Sequence, residues 1–313
     1  MMEQTNKSEN TKRNLLRNVR KQRLKYITVL PSLVTLINGA CGFASIVFAS
    51  QIGHQSDAGL LIYNSEFPFF KMAGYMIFFA MIADMLDGHL ARLSQSTSSF
   101  GGQLDSLCDV ISFGIAPAFL MLRVVETSLS FSPRIDIFIY RFLWLAAAIY
   151  FSCAAIRLAR FNVENEEDES HHMSFLGLPS PAAGGAVASL VILNQEMLMK
   201  IEESWRPYLQ FGHTAIIYLL PFATILVGAL MVSRIRYPHV VNQYLKGKKP
   251  FGYLIKAVAI IVIVIWYFEG ALVLVFWSFA LSGLVKWVWD NVIIRKPAAE
   301  DDLQENDVIV SGQ

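Results

Sequence analysis

Stretches of about twenty residues almost free of charge recur along this chain and decide what it can fold into. They lie near 27–51, 68–93, 101–123, 137–160, 178–199, 214–233, 252–268 and 271–288, and about 20 apolar residues are what an α-helix needs to cross a hydrocarbon core of roughly 30 Å. Inside lipid every backbone N–H and C=O must be paired within the protein, which leaves helices or closed barrels. Continuous apolar runs are not the alternating pattern of a barrel strand. The expected fold is therefore all-α, a polytopic membrane bundle of about eight transmembrane helices. The last two spans are parted only by Glu269 and Gly270 and form a hairpin candidate. With 54% hydrophobic and 16% charged residues, the chain falls well below the roughly one quarter of charged residues usual in soluble domains.

Lys and Arg set the expected orientation. The segment before the first span holds Lys7, Lys12, Arg13, Arg17, Arg20, Lys21, Arg23 and Lys25, whereas the connection 52–67 holds neither residue type. Positive flanks stay inside, so the N-terminus is expected in the cytoplasm. Alternation then puts the 234–249 connection, with Arg234, Arg236, Lys246, Lys248 and Lys249, on the same side. Eight spans return the C-terminus to the cytoplasm as well. Three regions follow: a basic arm over 1–26, a transmembrane domain over 27–288 and an acidic, disordered tail over 289–313. The polar, basic start argues that the first span stays as an anchor and is not cleaved.

Other features exclude functions. A net charge of +1 gives no basic field for nucleic acid. Cys41, Cys108 and Cys153 all fall within apolar spans, without zinc or disulfide spacing, and read as small apolar fillers. His171 and His172, beside an acidic run, read as solvated. Trp266, Tyr267, Trp277, Trp287 and Trp289 near span ends read as interfacial anchors.

The chemistry concentrates in DMLDGHLARLSQSTSSFGGQLDSLCD, residues 84–109, which joins the second span to the third. Asp84 and Asp87 are three apart and Asp105 and Asp109 four apart, so each pair projects from one helix face. A short turn over 94–99 would bring the pairs together. That is costly: an acidic side chain within a span costs roughly 2.5–3.5 kcal/mol on the permissive insertion scale. Two carboxylates about 6 Å apart repel by about 3 kcal/mol more at an effective dielectric near 20. Arg92 supplies one cation at most, so divalent metal is the economical counter-charge. Oxygen ligands without His or Cys indicate Mg²⁺ or Mn²⁺, allow Ca²⁺ and argue against zinc. Gly88, Ala91, Gly101 and Gly102 leave a groove floor bare enough for a nucleotide or phosphate to approach the backbone. On spacing alone two readings stand, metal-bound diphosphate chemistry and the ion or proton relay of a transporter.

The pattern D-x-x-D-G-x-x-A-R, eight residues, then G-x-x-x-D-x-x-x-D, filled here by Asp84, Asp87, Gly88, Ala91, Arg92, Gly101, Asp105 and Asp109, resembles the signature of the CDP-alcohol phosphotransferases. The resemblance implies an enzyme that displaces CMP from a CDP-linked lipid with an alcohol, on the cytoplasmic face and with two divalent metals, Mg²⁺ or Mn²⁺. It implies metal binding by Asp84, Asp87, Asp105 and Asp109, with Asp109 as the general base. It also places Gly88, Ala91, Arg92 and Gly101 beside the nucleotide and diphosphate. The runs LPSLVTLINGACGFASI (30–46), AAIRLARFNVE (154–164), FLGLPSPAAGG (175–185) and LMVSRIRYP (230–238) resemble the bacterial, phosphatidylserine-forming branch of that family. This implies transfer of a phosphatidyl group from CDP-diacylglycerol to L-serine, in the cell (inner) membrane among its lipids, by a homodimer.

Recognition of serine needs a partner for its carboxylate. Arg157 and Arg160, three apart at the end of the fourth span, offer bidentate guanidinium groups for that carboxylate or for a lipid phosphate. They also read as topology charges facing headgroups. Asn38, a polar group in the first span, either recognises base or ribose or makes an interhelical hydrogen bond. GLPSP, residues 177–181, reads as a helix start with anion-binding capacity or as a plain turn. Two alternatives compete: the same chemistry with glycerol phosphate, inositol phosphate, inositol or choline as acceptor, and an ion-coupled transporter.

Overall fold

The computed structural model describes residues 31–51, 68–94, 99–129, 133–167, 177–203, 207–235, 237 and 267–289. The described residues are all helical apart from short connections. In chain order they form α1 (Pro31–Ser50), α2 (Phe69–Ser94), α3 (Ser99–Asp109), a wide π turn (Val110–Ile115), α4 (Ala116–Ser128), α5 (Pro133–Glu167), α6 (Ser180–Glu203), α7 (Pro207–Val232) and α8 (Phe268–Val288). Seven of these segments, with α3 to α4 counted as one, are long and apolar enough to cross a membrane. The chain is thus an integral membrane helical bundle. The expected span at 252–268 lies almost wholly outside the described residues, as do the basic arm and nearly all of the acidic tail.

The bundle is apolar outside and partly polar inside. On α1, Thr35, Asn38, Ser45 and Ala49 are buried while Leu33, Leu36, Ile37, Phe43 and Val47 are exposed, a helical stripe pointing its small and polar side inward. In water such an exterior would be a large apolar patch; in lipid it is the favoured face. Without a hydrophobic drive between helices, close packing needs small residues. A Cβ on Gly42 would lie 2.4 Å from the Ser112 Oγ, and one on Gly39 2.9 Å from the Cys108 Sγ. These two glycines therefore seat α1 against the end of α3 and the π turn that follows it.

The centre belongs to α6 and to the α3–α4 segment, whose apolar windows are 67% and 72% buried, against 11% for α8. The run Ala182–Ala183–Gly184–Gly185–Ala186 lets α2, α4, α7 and α8 pack around α6. A Cβ on Gly184 would meet Phe113 at 3.3 Å. Trp277 of α8 donates from Nε1 to the Ala186 carbonyl at 3.1 Å.

Two helices run further than apolar length alone suggests. The fourth span was expected to end at 160, yet α5 continues to Glu167, 35 residues in all. At about 1.5 Å per residue it overshoots the hydrocarbon core. Its extension is tied down at Asn162, whose Nδ2 donates to the Ser106 Oγ of α3 at 2.8 Å. Similarly α7 begins at Pro207 and not near 214, because proline suits a first helical turn and hydropathy does not mark where a helix starts in the interface.

The π turn has a local cause. Pro117 has no N–H to give the Phe113 carbonyl in the α pattern. The fully buried Tyr150 of α5 donates its hydroxyl to that carbonyl at 2.9 Å. The helix widens just after Asp109, and the Ala116 N–H reaches the Ile111 carbonyl.

Candidate active site

α2 ends at Ser94 and α3 begins at Ser99, so Asp84 and Asp109 each stand ten residues, roughly 15 Å, from those facing helix ends. At this shared depth one carboxylate oxygen each from Asp84, Asp105 and Asp109 lie within 4.8 Å of one another. Asp87 is one helical turn further along α2, buried, with the Thr35 side chain of α1 against it. Asp87 Oδ2 and Asp105 Oδ1 are buried without a hydrogen-bond partner among the described residues. Buried carboxylate oxygens without partners are expensive. The hard-oxygen chemistry of the group, with Asp84, Asp105 and Asp109 drawn within 4.8 Å of one another, fits a divalent cation.

Two neighbouring helices complete the surroundings. From α1, Asn38 Nδ2 donates to Asp109 Oδ1 at 2.9 Å, and Ser112 Oγ returns a bond to the Asn38 backbone carbonyl at 2.9 Å. The interhelical role read for Asn38 in the sequence is thus present. Its Oδ1 is buried and unpartnered, so it keeps one acceptor for a ligand. From α5, Arg157 brings its charge to Asp84 and Asp109 without an ion pair inside 4.0 Å among the described residues. Its Nη1 donates to the Ser180 Oγ at 2.6 Å, and its Nε is buried and unpartnered.

The remaining candidates divide. Arg160 donates from Nη1 to the Val232 carbonyl at 3.3 Å, closing the last turn of α7 beside the site. Arg92 is exposed and turns back to the Gly88 carbonyl from Nε at 3.1 Å. Space above Gly88 is open, with nothing within 4 Å of where a Cβ would stand, and the same holds at Gly102. Ala91 and Gly101 lie on the facing ends of α2 and α3. Sequence reasoning passed over Thr35, Ser112 and Ser180. The available signal was the one that singled out Asn38, a polar residue in an apolar run, and serine and threonine give it weakly because they also bond their own helix.

A membrane-embedded helical bundle with a half-buried, under-neutralised carboxylate cluster beside an open, glycine-floored surface defines a class: a membrane protein with a site able to hold a divalent cation. The family model described as CDP-alcohol phosphatidyltransferase matches residues 28–210, and the chain belongs to that family, whose members use divalent metals. Among curated relatives, the CDP-diacylglycerol–serine O-phosphatidyltransferase of Helicobacter pylori (strain ATCC 700392 / 26695) is 34% identical over 179 residues, 57% of this chain. The chain covers 65% of that relative's length, just under two thirds. Proteins of the same description from Methanocaldococcus jannaschii and Bacillus subtilis are 30% and 31% identical over 68% and 67% of this chain, covering 83% and 90% of those proteins.

Proposed function

We propose that this chain transfers the phosphatidyl group of CDP-diacylglycerol to the hydroxyl of L-serine, forming phosphatidylserine and releasing CMP, at the cytoplasmic face of the inner membrane and as a homodimer. The observation that carries the reading is the Asp84–Asp105–Asp109 cluster; the printed names of the relatives supply the acceptor. Family membership favours phosphate chemistry over an ion relay.

In this mechanism Asp84, Asp87, Asp105 and Asp109 would hold two divalent ions, Mg²⁺ or Mn²⁺, whose positive charge would offset the negative charge of the diphosphate and of the departing CMP. Asp109 takes the proton of the serine hydroxyl as that oxygen attacks the lipid-side phosphorus and the bond to the CMP oxygen breaks. Asn38 donates to one oxygen of Asp109 and so orients that carboxylate, and it offers its own free Oδ1 to the nucleotide. Gly88, Ala91 and Gly101 form the floor on which the nucleotide diphosphate rests, with Arg92 at its exposed edge. Arg157 and Arg160 provide cationic contacts for the serine carboxylate or the lipid phosphate. The basic arm over 1–26 and the acidic tail over 289–313 flank the catalytic domain over 27–288.

Purified protein given CDP-diacylglycerol, Mn²⁺ or Mg²⁺ and labelled serine tests this directly. Label should enter lipid with CMP released in equal amount. CMP release that does not depend on serine removes the synthase reading, and release supported by glycerol phosphate or inositol phosphate moves the chain to another branch of the family.

A further inference from the structure

The turn that leads into α6 is held more firmly than a connection needs to be. Gly177 has φ +84°, and a Cβ there would lie 2.3 Å from the Met231 carbonyl, so only glycine fits. Its N–H donates to the Ile235 carbonyl at 2.9 Å, and the Leu178 N–H donates to the Leu230 carbonyl at 3.0 Å. Pro179 and Pro181 stiffen the two sides of Ser180. Leu178 and Ser180 are fully buried. The segment is thereby pinned to the end of α7, and what it presents is the Ser180 hydroxyl.

That hydroxyl accepts from Arg157 Nη1 at 2.6 Å. Arg157 is the cation whose charge reaches Asp84 and Asp109, and its Nε is buried with no partner among the described residues. A guanidinium carries five N–H donors in a rigid plane, so one bond to a fixed acceptor sets the direction of the others. Without it a long side chain explores several rotamers, and a bidentate contact then costs ordering entropy at every binding event.

We propose that Ser180 is a positioning residue for acceptor selection: braced by the 177–181 turn, it orients Arg157 so that the remaining guanidinium donors receive the anionic group of the acceptor beside the carboxylate cluster. The inference rests on the proposed transferase function and adds that Ser180 discriminates an acceptor with a carboxylate from one without. Serine and ethanolamine differ by that group alone, and each presents one hydroxyl and one amine. Ser180 acts through Arg157 and touches neither reacting atom.

The test compares wild type with Ser180→Ala and Ser180→Thr as full-length protein in nanodiscs, measuring kcat/KM for serine, kcat/KM for ethanolamine and KM for CDP-diacylglycerol. The quantity read is the serine-to-ethanolamine ratio, which does not depend on the fraction of active protein. Ser180→Ala is expected to lower it about tenfold, the size of one hydrogen bond to a charged group, through a raised KM for serine and with KM for the CDP-lipid within about twofold. Ser180→Thr, which keeps the hydroxyl, is expected to return most of the ratio. A parallel fall with both acceptors, an unchanged ratio, or a loss that Thr does not repair overturns the inference. If wild type uses a phosphorylated alcohol in place of serine, the synthase reading fails separately, and the ratio of that acceptor to its unphosphorylated form decides Ser180 by the same criterion. Use of an uncharged or cationic acceptor alone overturns both.

Discussion

Charged residues gather at both ends of this bundle, and the two gatherings differ in one respect. At the end where α2 and α6 meet α8, Lys71 Nζ binds Glu196 at 2.6 Å and Glu269 at 3.0 Å, and Lys200 Nζ binds Glu196 at 3.0 Å. Two cations and two anions satisfy one another there. About 20 Å away along α2, the carboxylates of Asp84, Asp105 and Asp109 crowd within 4.8 Å, with buried atoms of Asp87, Asp105 and Arg157 left without partners. Balanced charge fastens helices together. Unbalanced charge implies something from outside that completes it.

The largest effect is expected where the imbalance is used. Asp109→Asn keeps shape and removes the proton acceptor, so serine-dependent CMP release should fall by about a thousandfold or more while the protein stays inserted and unfolds at an unaltered temperature. Near wild-type turnover would remove Asp109 from its role. Gly88→Leu fills the open space above α2 and is expected to raise the KM for CDP-diacylglycerol about tenfold, the order of one lost favourable contact; titration of the lipid reads this, and an unchanged KM places the nucleotide elsewhere.

An effect of similar size separates the two readings of Asn38. Loss of its bond to Asp109 in Asn38→Ala should lower kcat by about tenfold, measured at saturating CDP-lipid. A change confined to KM for the CDP-lipid would make Asn38 a nucleotide contact and no support for Asp109. At the balanced end the outcome should invert. Lys71→Met leaves Glu269 and one side of Glu196 unpaired, which should lower the thermal midpoint by about 5 °C with activity per folded molecule within about twofold. Loss of activity equal to that of Asp109→Asn would erase the distinction between the ends.

The contrast also marks what the sequence could and could not convey. The spans were legible because crossing a hydrocarbon core demands a length that a window of hydropathy detects. Helix ends were less so, since α5 runs on past the core and is anchored by Asn162 to Ser106. The acidic pairs were legible from spacing on α2 and α3. The clamp of Asn38 on Asp109 joins residues 71 positions apart, and no local pattern encodes such a contact. The hold of Ser180 on Arg157 across 23 positions was hidden for the same reason. Glu269 appeared only as a charge between the last two spans, and its partnership with Lys71 emerged only once α2, α6 and α8 were packed.

Manganese binding to the purified protein, followed by electron paramagnetic resonance, addresses the central claim without relying on turnover. Wild type and Lys71→Met should both take up Mn²⁺, and Asp105→Asn should lose it. Equal uptake by Asp105→Asn, or none by wild type at concentrations that support catalysis, would mean that the carboxylates are not held together for a cation.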